Sequence, residues 1–234
     1  MKIFLKMLGP LMLLNLVIMA FPFGENKVQA EVQQTEQKKV YLTFDDGPTE
    51  TTGQLIKVLN DYHASATFFM LSPHMKQYPM ETVQLAYSQN AVGCHGVTHD
   101  KEAFYHSSST VTGEMKTCRQ TLENISGERS NLVRVPYGSV PDMKQAYIEA
   151  LKRDGFIMWD WNVDSVDWGS QDDSWITKTM QQVEKVEKNQ QDPVIVMHDK
   201  AKTARELPAL LHALQKEGYE FLPINENQKP VVFQ

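Results

Sequence analysis

The sequence predicts an α/β fold in which parallel strands, with helices outside them, wrap into a closed or nearly closed barrel. From about residue 40 onward, apolar runs rich in β-branched residues alternate with helical patterns. Seven such alternations are typical of a parallel sheet covered by helices. A barrel of this kind gathers its functional residues at the carboxyl ends of the strands. An open doubly wound sheet is the alternative, and the pattern alone separates the two poorly.

The first thirty residues have the pattern of a secretory signal peptide. Lys2 and Lys6 precede an almost wholly apolar run at 7–23, and residues 28–30 have the small-residue pattern of a cleavage site. The apolar run could instead remain uncleaved and tether the protein to a membrane, because it is nearly long enough to span one. The predicted segments are a signal peptide at 1–30, a polar linker at 31–39 and one domain at 40–234.

Short apolar runs bounded by turn residues predict the strands of this domain, and apolar residues three and four positions apart predict its helices. The predicted strands are 40–45, 66–71, 91–95, 132–136, 156–163, 193–197 and 219–223. The predicted helices include stripes at 55–62 and 83–87 and longer segments at 110–126, 143–154, 174–188 and 205–217. In the last helix the leucines lie on one face, and Gly218 ends it.

Charge and cysteine content restrict the function classes. The net charge is −6, and removal of the first thirty residues makes it more negative because three lysines and one glutamate are lost. This disfavours nucleic acid as a partner. Cys94 and Cys118 are too few for a disulfide scaffold. We expect Cys118 to face the core and Cys94 to point outward toward the helix layer, so the two could form a disulfide or remain two buried thiols.

Two neighbouring carboxylates, Asp45 and Asp46, end the first predicted strand just before the turn at 47–48. Successive strand side chains point to opposite faces, so adjacent aspartates on a regular strand cannot both face one small ion. At the end of the strand both can still border one pocket, one binding a cation and the other acting as a base. A surface turn is the alternative for this stretch taken by itself.

Two histidines four residues apart, His95 and His99, follow the predicted strand at 91–94. On a helical turn this spacing puts both imidazoles on the same side. With one aspartate of the first strand they make three protein ligands and leave a position for water, as in catalytic zinc sites. Non-haem iron uses the same ligand types, but generally on an all-β scaffold that this pattern does not resemble.

Three further segments carry candidate site residues. Arg134 ends a strand, where it can hold a neighbouring carboxylate in its ionised form. Residues 159–168 are dense in Trp and Asp, as in a sugar-binding cleft, and Trp168 is the better pocket candidate. His198 follows an apolar strand, and Asp164 is the predicted partner that raises its pKa and keeps it protonated. The other histidines are interpreted as ordinary polar residues: His63, His74, His106 and His212.

In this order, the five segments resemble the motifs of the polysaccharide deacetylases, the family-four carbohydrate esterases, from about residue 40 to 224. The resemblance implies a distorted, incomplete TIM-like (β/α)7 barrel whose catalytic domain occupies 40–234. It also implies that Asp46, His95 and His99 bind one divalent metal ion. Zinc is the expected ion, with cobalt or nickel as substitutes.

The resemblance also implies roles for the remaining candidates. Asp45 matches the catalytic base and Arg134 the residue that holds it. The backbone at Tyr137 matches a group that stabilises the oxyanion. Asp164 and the Asp167-Trp168 pair match the fourth motif, in which Asp164 tunes the catalytic acid His198 of the fifth. Trp168 matches the wall of the acetyl pocket.

Two positions depart from the family pattern. Gly96 stands where the family usually has Ser or Thr, so a side-chain hydrogen bond that could steady the loop is lost, and we expect weaker metal binding. Val196 stands where Leu is usual, and we expect altered selectivity rather than inactivity. Tyr137 is similar to members that act on N-acetylglucosamine and less like those specialised for N-acetylmuramic acid.

The resemblance implies a metal-dependent hydrolase that removes N-linked acetyl groups from N-acetylglucosamine residues of a cell-wall or chitin-like polysaccharide. We expect a monomer that is secreted or associated with the cell wall, with a membrane tether only if the leader is uncleaved. The alternatives are an O-acetyl esterase acting on acetylated xylan and a catalytically silent sugar-binding module. A metallopeptidase is poorly supported, because the sequence has no His-Glu-x-x-His segment.

Overall fold

The computed structural model describes residues 37–169 and 174–233, so the predicted signal peptide and most of the predicted linker lie outside the described residues. The strands are β1 (Lys38–Gly47), β2 (Ala66–Leu71), β3 (Ala91–Gly96), β4 (Leu132–Val133), β5 (Ile157–Met158), β6 (Val163–Asp164), β7 (Val194–His198) and β8 (Tyr219–Phe221). The helices are α1 (Thr52–Asp61), α2 (Ser72–Gln77), α3 (Pro79–Ala86), α4 (Lys101–Phe104), α5 (Ser108–Ser126), α6 (Gln145–Arg153), α7 (Ser174–Lys188) and α8 (Ala201–Lys216). Strand β1 thus begins within the last two residues of the predicted linker.

The strands form one parallel sheet in the order β5-β4-β3-β2-β1-β7-β6, and β8 pairs with the start of β1. In a flat sheet of seven strands the two outer strands would lie roughly 29 Å apart, at about 4.8 Å per neighbour. Here the outer strands β5 and β6 are consecutive in the chain, and the five steps from Met158 to Val163 reach at most about 18 Å. The sheet must therefore curl. The predicted distorted, incomplete (β/α)7 barrel is confirmed.

The predicted strand at 156–163 is wrong as a single element, because its two ends pair with different strands, at the two opposite edges of the curled sheet. The N–H of Trp159 still bonds to the carbonyl of Val133 on β4, whereas the N–H of Asn162 bonds to the carbonyl of Val194 on β7. The short helices α2 and α4 were not predicted, since neither has the length that a periodic pattern needs. None of the helices in the described ranges combines the length and the apolar character that a membrane span requires.

Two separate cores follow from the alternation of side chains along the strands. In β1, Val40, Leu42 and Phe44 point outward and pack under the helices, while Tyr41 points into the barrel. The outer core is the larger one and takes residues from each of the helices α1 to α8. The barrel interior is filled below the site by a smaller cluster: Tyr41, Phe69, Leu132, Trp159, Val194 and Ile224.

The two cysteines are buried, free thiols in the outer core. The predicted orientation of Cys94 toward the helix layer is therefore confirmed, and of the two alternatives the structure has the thiols. Cys118 donates a hydrogen bond to the carbonyl of Met70 over 3.2 Å, and burial raises the pKa of the neighbouring Cys94. Cys94 is thus uncharged, and both side chains contribute to packing.

Candidate active site

A cavity of about 410 Å³ lies at the carboxyl ends of the strands, and eight of the nine predicted site residues line it. The ninth, Arg134, is fully buried beneath it. A larger cavity of about 820 Å³ shares the wall residue Trp161 but is lined by none of the nine predicted residues. The smaller cavity is therefore the candidate active site, although it is not the largest one.

The two aspartates at the end of β1 are separated by a local break in the strand. Asp45 continues the inward alternation of the strand and is 3 % exposed. Between Asp45 and Gly47 the pairing with β2 shifts by one residue, and Asp46 has a left-handed backbone with φ of 70°. Such a bulge re-aims a side chain. Because of it, Asp46 also reaches the cavity, so that both carboxylates line one pocket as expected.

Asp46, His95 and His99 come together as a set of possible metal ligands, with their ligand atoms within 4.8 Å of one another. The carboxylate oxygen Oδ1 of Asp46 lies 3.6 Å from Nε2 of His95 and 3.3 Å from Nε2 of His99. Ligand atoms at 2.0–2.1 Å from a tetrahedral zinc ion are separated by roughly 3.3 Å. The spacing therefore fits a single small cation, as predicted.

The state of these donors also fits a cation. Oδ1 of Asp46 is buried and has no hydrogen-bond partner among the described residues, which is costly for a carboxylate oxygen unless a cation neutralises it. Nδ1 of His95 lies 2.8 Å from the carbonyl of Arg134, which fixes the proton there and leaves Nε2 free to ligate. Burial, the largest effect, and the nearby His99 lower the pKa of His95, so its imidazole is neutral at pH 7.

Arg134 is the central support of the inner wall. Its guanidinium donates to Asp45 over 3.0 Å, to the hydroxyl of Thr43 over 2.6 Å and to the carbonyl of Asp160 over 2.9 Å. It also lies 4.4 Å from the ring centroid of Phe69. The charge is thus buried but fully hydrogen-bonded, and it holds Asp45 in one orientation facing the cavity.

The predicted pairing of His198 with Asp164 is wrong, because the partner of His198 is Asp167. Nδ1 of His198 lies 2.8 Å from one carboxylate oxygen of Asp167, and the backbone N–H of His198 donates to the other over 2.9 Å. Burial by itself lowers the pKa of His198, but the hydrogen bond and charge of Asp167, with Asp45 and Asp46, outweigh it and raise the pKa above its usual value.

The register of the sheet explains this correction. Asp164 lies opposite Val196, two residues before His198 along β7, so it is too low in the barrel to reach the imidazole. Its carboxylate instead accepts from the N–H of Val166 over 2.9 Å, in a turn where Val166 has φ of 55°. That turn brings the next carboxylate, Asp167, up to His198. Asp164 remains part of the cavity wall.

Aromatic side chains form the rim of the cavity. Tyr137 and Trp168 are 52 % and 61 % exposed, so each side chain presents part of its surface to a ligand. Tyr137 also donates its hydroxyl to the carbonyl of His99 over 2.8 Å, with ring centroids 4.7 Å apart. Trp161, from the segment dense in Trp and Asp, also lines the cavity. Three aromatic side chains therefore border the cavity.

Two buried or half-buried residues that were not predicted support the end of β1. Nδ1 of His74, on α2, lies within hydrogen-bond distance of the carbonyl of Asp46. Asp199 donates its backbone N–H to the carbonyl of Asp45 over 3.0 Å, and its carboxylate accepts from the hydroxyl groups of Thr49 and Thr52. His74 was interpreted as an ordinary polar residue. Its contact with the carbonyl of a residue distant in the sequence could not be predicted from the sequence.

The barrel, with carboxylates and imidazoles gathered at its carboxyl end, places the chain among α/β-barrel hydrolases. Residues 32–156 match the model of one family, described as polysaccharide deacetylase. The matched residues include the first three predicted motifs and end before Asp164, Trp168 and His198. The chain belongs to the polysaccharide deacetylase family, and the predicted family is confirmed.

Individual relatives match most of the chain. The chain is 40 % identical to YheN of Bacillus subtilis over 201 residues, which are 85 % of this chain and 71 % of that protein. It is 35 % identical to a peptidoglycan-N-acetylglucosamine deacetylase of Bacillus cereus, covering 85 % and 74 % of the two chains. The crystal structure of a polysaccharide deacetylase from Bacillus cereus superposes with a TM-score of 0.77 at 34 % identity, covering 84 % and 97 %.

Proposed function

We propose that this protein is a metal-dependent hydrolase that removes N-linked acetyl groups from N-acetylglucosamine residues of a cell-wall polysaccharide. The observation that carries the proposal is the convergence of Asp46, His95 and His99 on one point, with Asp45 and His198 lining the same cavity of about 410 Å³. A relative that is 35 % identical over 206 residues is a peptidoglycan-N-acetylglucosamine deacetylase, which favours peptidoglycan as the polymer. Chitin-like oligosaccharides contain the same acetylated sugar.

Asp46, His95 and His99 would hold the metal ion. Two imidazole nitrogens and one carboxylate oxygen suit zinc, and cobalt or nickel would fit the same ligand types. When bound, the ion supplies Lewis-acid polarisation of the acetyl oxygen and a lower pKa of water at the site. The fixed tautomer of His95 and the unpaired Oδ1 of Asp46 support this assignment.

Asp45 is the proposed base. The hydrogen bond from Arg134, over 3.0 Å, holds one of its oxygens, so the carboxylate has little rotational freedom. It lies inside the barrel and lines the cavity, where it can take the proton of the attacking water. Because Arg134 also donates to Thr43 and to backbone carbonyls, its position does not depend on Asp45 alone.

His198 is the proposed acid. An amide nitrogen leaves only when it is protonated, and so the enzyme needs a proton donor at the pH at which it works. Asp167 holds Nδ1 of His198 and raises its pKa, which keeps the imidazole charged and leaves Nε2 for the leaving nitrogen. Asp164, which lines the same cavity, is proposed to contact the substrate there rather than to tune His198.

The acetyl group would lie between Trp168, Val196 and the strand ends. The backbone N–H of Tyr137 is proposed to donate to the oxygen on which negative charge develops. A well-placed donor of this type contributes about 3–4 kcal/mol in comparable sites. Tyr137 has a left-handed backbone with φ of 66°, an uncommon conformation for a residue with a side chain, and such strain gathers at functional sites.

The proposed setting is outside the cytoplasm, either secreted or associated with the cell wall, and the proposed functional unit is a monomer. The pattern of residues 1–30 supports export, and a relative named for its action on peptidoglycan supports a location at the wall. The partner is then an N-acetylated polysaccharide. The acidic net charge of −6 disfavours nucleic acid.

Acetate release from peptidoglycan, chito-oligosaccharides and acetylated xylan, with and without a chelator, tests the proposal. We expect release from the two N-acetylated substrates, its loss on chelation and its recovery with added Zn²⁺. Release from xylan alone would favour the O-acetyl esterase, in which the easier leaving group depends less on His198. No release from any substrate by a metal-loaded protein would favour a silent sugar-binding module, and release that survives full metal removal would contradict the proposal.

A further inference from the structure

The loop at 95–99, which carries two of the proposed metal ligands, is held by a carboxylate from outside the five motifs. Glu114, on α5, accepts through Oε2 from the backbone N–H groups of Val97 and Thr98, over 2.8 and 3.0 Å. Its other oxygen, Oε1, accepts from the hydroxyl of Thr98 over 2.6 Å. Three donors of one short loop therefore converge on a single side chain. Successive N–H groups that point the same way form a typical anion site.

Gly96 provides the space for this carboxylate. Its backbone has φ of 107°, a region that favours glycine, and a Cβ placed there would lie 3.1 Å from Oε2 of Glu114 and 3.4 Å from the ring of Phe104. The resemblance implies Ser or Thr at this position, whose hydroxyl would hold the loop from within. In this chain an acceptor is supplied from α5 instead. Gly96 and Glu114 thus form a matched pair.

The opposite end of the loop is held separately. The carbonyl of His99 accepts from the hydroxyl of Tyr137, and His99 itself has φ of 46°. Glu114 holds the middle of the loop and Tyr137 holds its end, so the two imidazoles are fixed from both sides. Without Glu114 the backbone N–H groups of Val97 and Thr98 would form hydrogen bonds with water. The loop would then gain alternative conformations in which His99 no longer faces Asp46.

We propose that Glu114 is a positioning residue for the metal site, one that acts through the loop and does not touch the ion. The inference rests on the proposed metal-dependent function. A carboxylate suits the task because it has two acceptor oxygens and no donor, so all three loop donors can be satisfied at once. A glutamine keeps one acceptor oxygen but turns an NH₂ group toward the remaining loop donors, and an alanine keeps none.

The test is the Zn²⁺ affinity of the metal-free full chain, measured by competition with a chromophoric chelator. Outer residues that orient metal ligands typically change metal affinity by about 10–100-fold. We expect a loss of this size in E114A and an intermediate loss in E114Q. The matched control is E123A, which removes a carboxylate from the same helix whose ion pair, to Arg129 over 3.9 Å, lies at the surface. It is expected to bind Zn²⁺ as the wild type does.

A second readout separates positioning from a general structural role. A residue that only stabilises the fold would lower the melting temperature of the metal-free and metal-loaded forms alike. A positioning residue instead reduces the rise in melting temperature that Zn²⁺ produces, because this rise depends on affinity for the folded state. We expect a smaller Zn²⁺-induced rise in E114A than in wild type or E123A, with E114Q between them.

Wild-type affinity in E114A, or an equal loss in E114A and E123A, would overturn the inference and leave the proposed function standing. Failure of the wild-type chain itself to bind Zn²⁺ would overturn the proposed function and this inference with it. If E114A does not fold, E114Q keeps the length of the side chain and decides the question with the same outcomes.

Discussion

Two hydrogen bonds join His198 to Asp167: the imidazole Nδ1 and the backbone N–H of His198 each bond to a different oxygen of the carboxylate. The hydroxyl of Thr203 bonds to the same carboxylate. Burial alone raises the pKa of Asp167, but these hydrogen bonds and the charge of His198 lower it below its usual value. Both partners are thereby held in their charged forms, and the orientation of the imidazole is fixed together with its charge.

Replacement of Asp167 by asparagine tests this pair. The pKa of His198 is raised in the folded protein, so the protonated form is retained below that pKa and is lost as the pH rises through it. In D167N the pKa of His198 falls, and the alkaline limb of the kcat profile moves to lower pH. Activity should fall more at pH 8 than at pH 6. D164N is the comparison. Its alkaline limb should stay at the same pH as that of the wild type, whatever its effect on the rate.

Replacement of Gly47 by alanine tests the close packing behind Asp46. A Cβ at this position would lie 2.6 Å from Oδ2 of Asp199, which is itself held by Thr49 and Thr52. We expect G47A to lower the free energy of unfolding by about 1–3 kcal/mol, as overpacking does. The control is G53A on α1, where a Cβ meets nothing within 4 Å. Urea titration should show G53A more stable than wild type by about 0.5–1 kcal/mol, and equal effects would contradict the packing.

Replacement of Arg134 by alanine tests the buried support of Asp45. Both side chains are buried, so removal of the arginine leaves a carboxylate without its partner and costs about 3–5 kcal/mol of stability. R134K should recover only part of this loss, because an ammonium group cannot reach the several acceptors that the planar guanidinium serves. R153A, on the exposed side of α6, should stay within about 0.5 kcal/mol of wild type. A loss in R134A no larger than in R153A would show that the pair contributes nothing.

The alternation of apolar runs and helical stripes was sufficient to predict a parallel sheet covered by helices, because each strand carries its own local pattern. The choice of a barrel over an open sheet came from the resemblance of the motifs to those of a family. The outward residues of β1 and the leucine face of α8 both follow from spacing alone. The division of the segment at 156–163 into β5 and β6 could not be predicted in this way. It depends on which neighbour each half pairs with, and that information lies in distant strands.

The site shows the same limit. Residues at strand ends, such as Asp45 and His95, could be located from the strand that precedes them. The choice between Asp164 and Asp167 as the partner of His198 depended on register and on a turn at Val166, neither of which has a sequence signal. Glu114 was missed because the groups that donate hydrogen bonds to it include backbone N–H groups of a loop at a distant position in the chain. Contacts of a side chain with a distant backbone leave no pattern in the sequence.

The most direct measurement compares the zinc content and the turnover of D46A and D45N, both purified from the full chain and assayed on the same N-acetylated substrate. Asp46 belongs to the ligand set and Asp45 bonds to Arg134, so the two neighbours should fail in different ways. We expect D46A to lose zinc and activity together, and D45N to keep zinc at the wild-type level and lose turnover. Equal loss of zinc in the two variants would contradict the division of roles between the two aspartates.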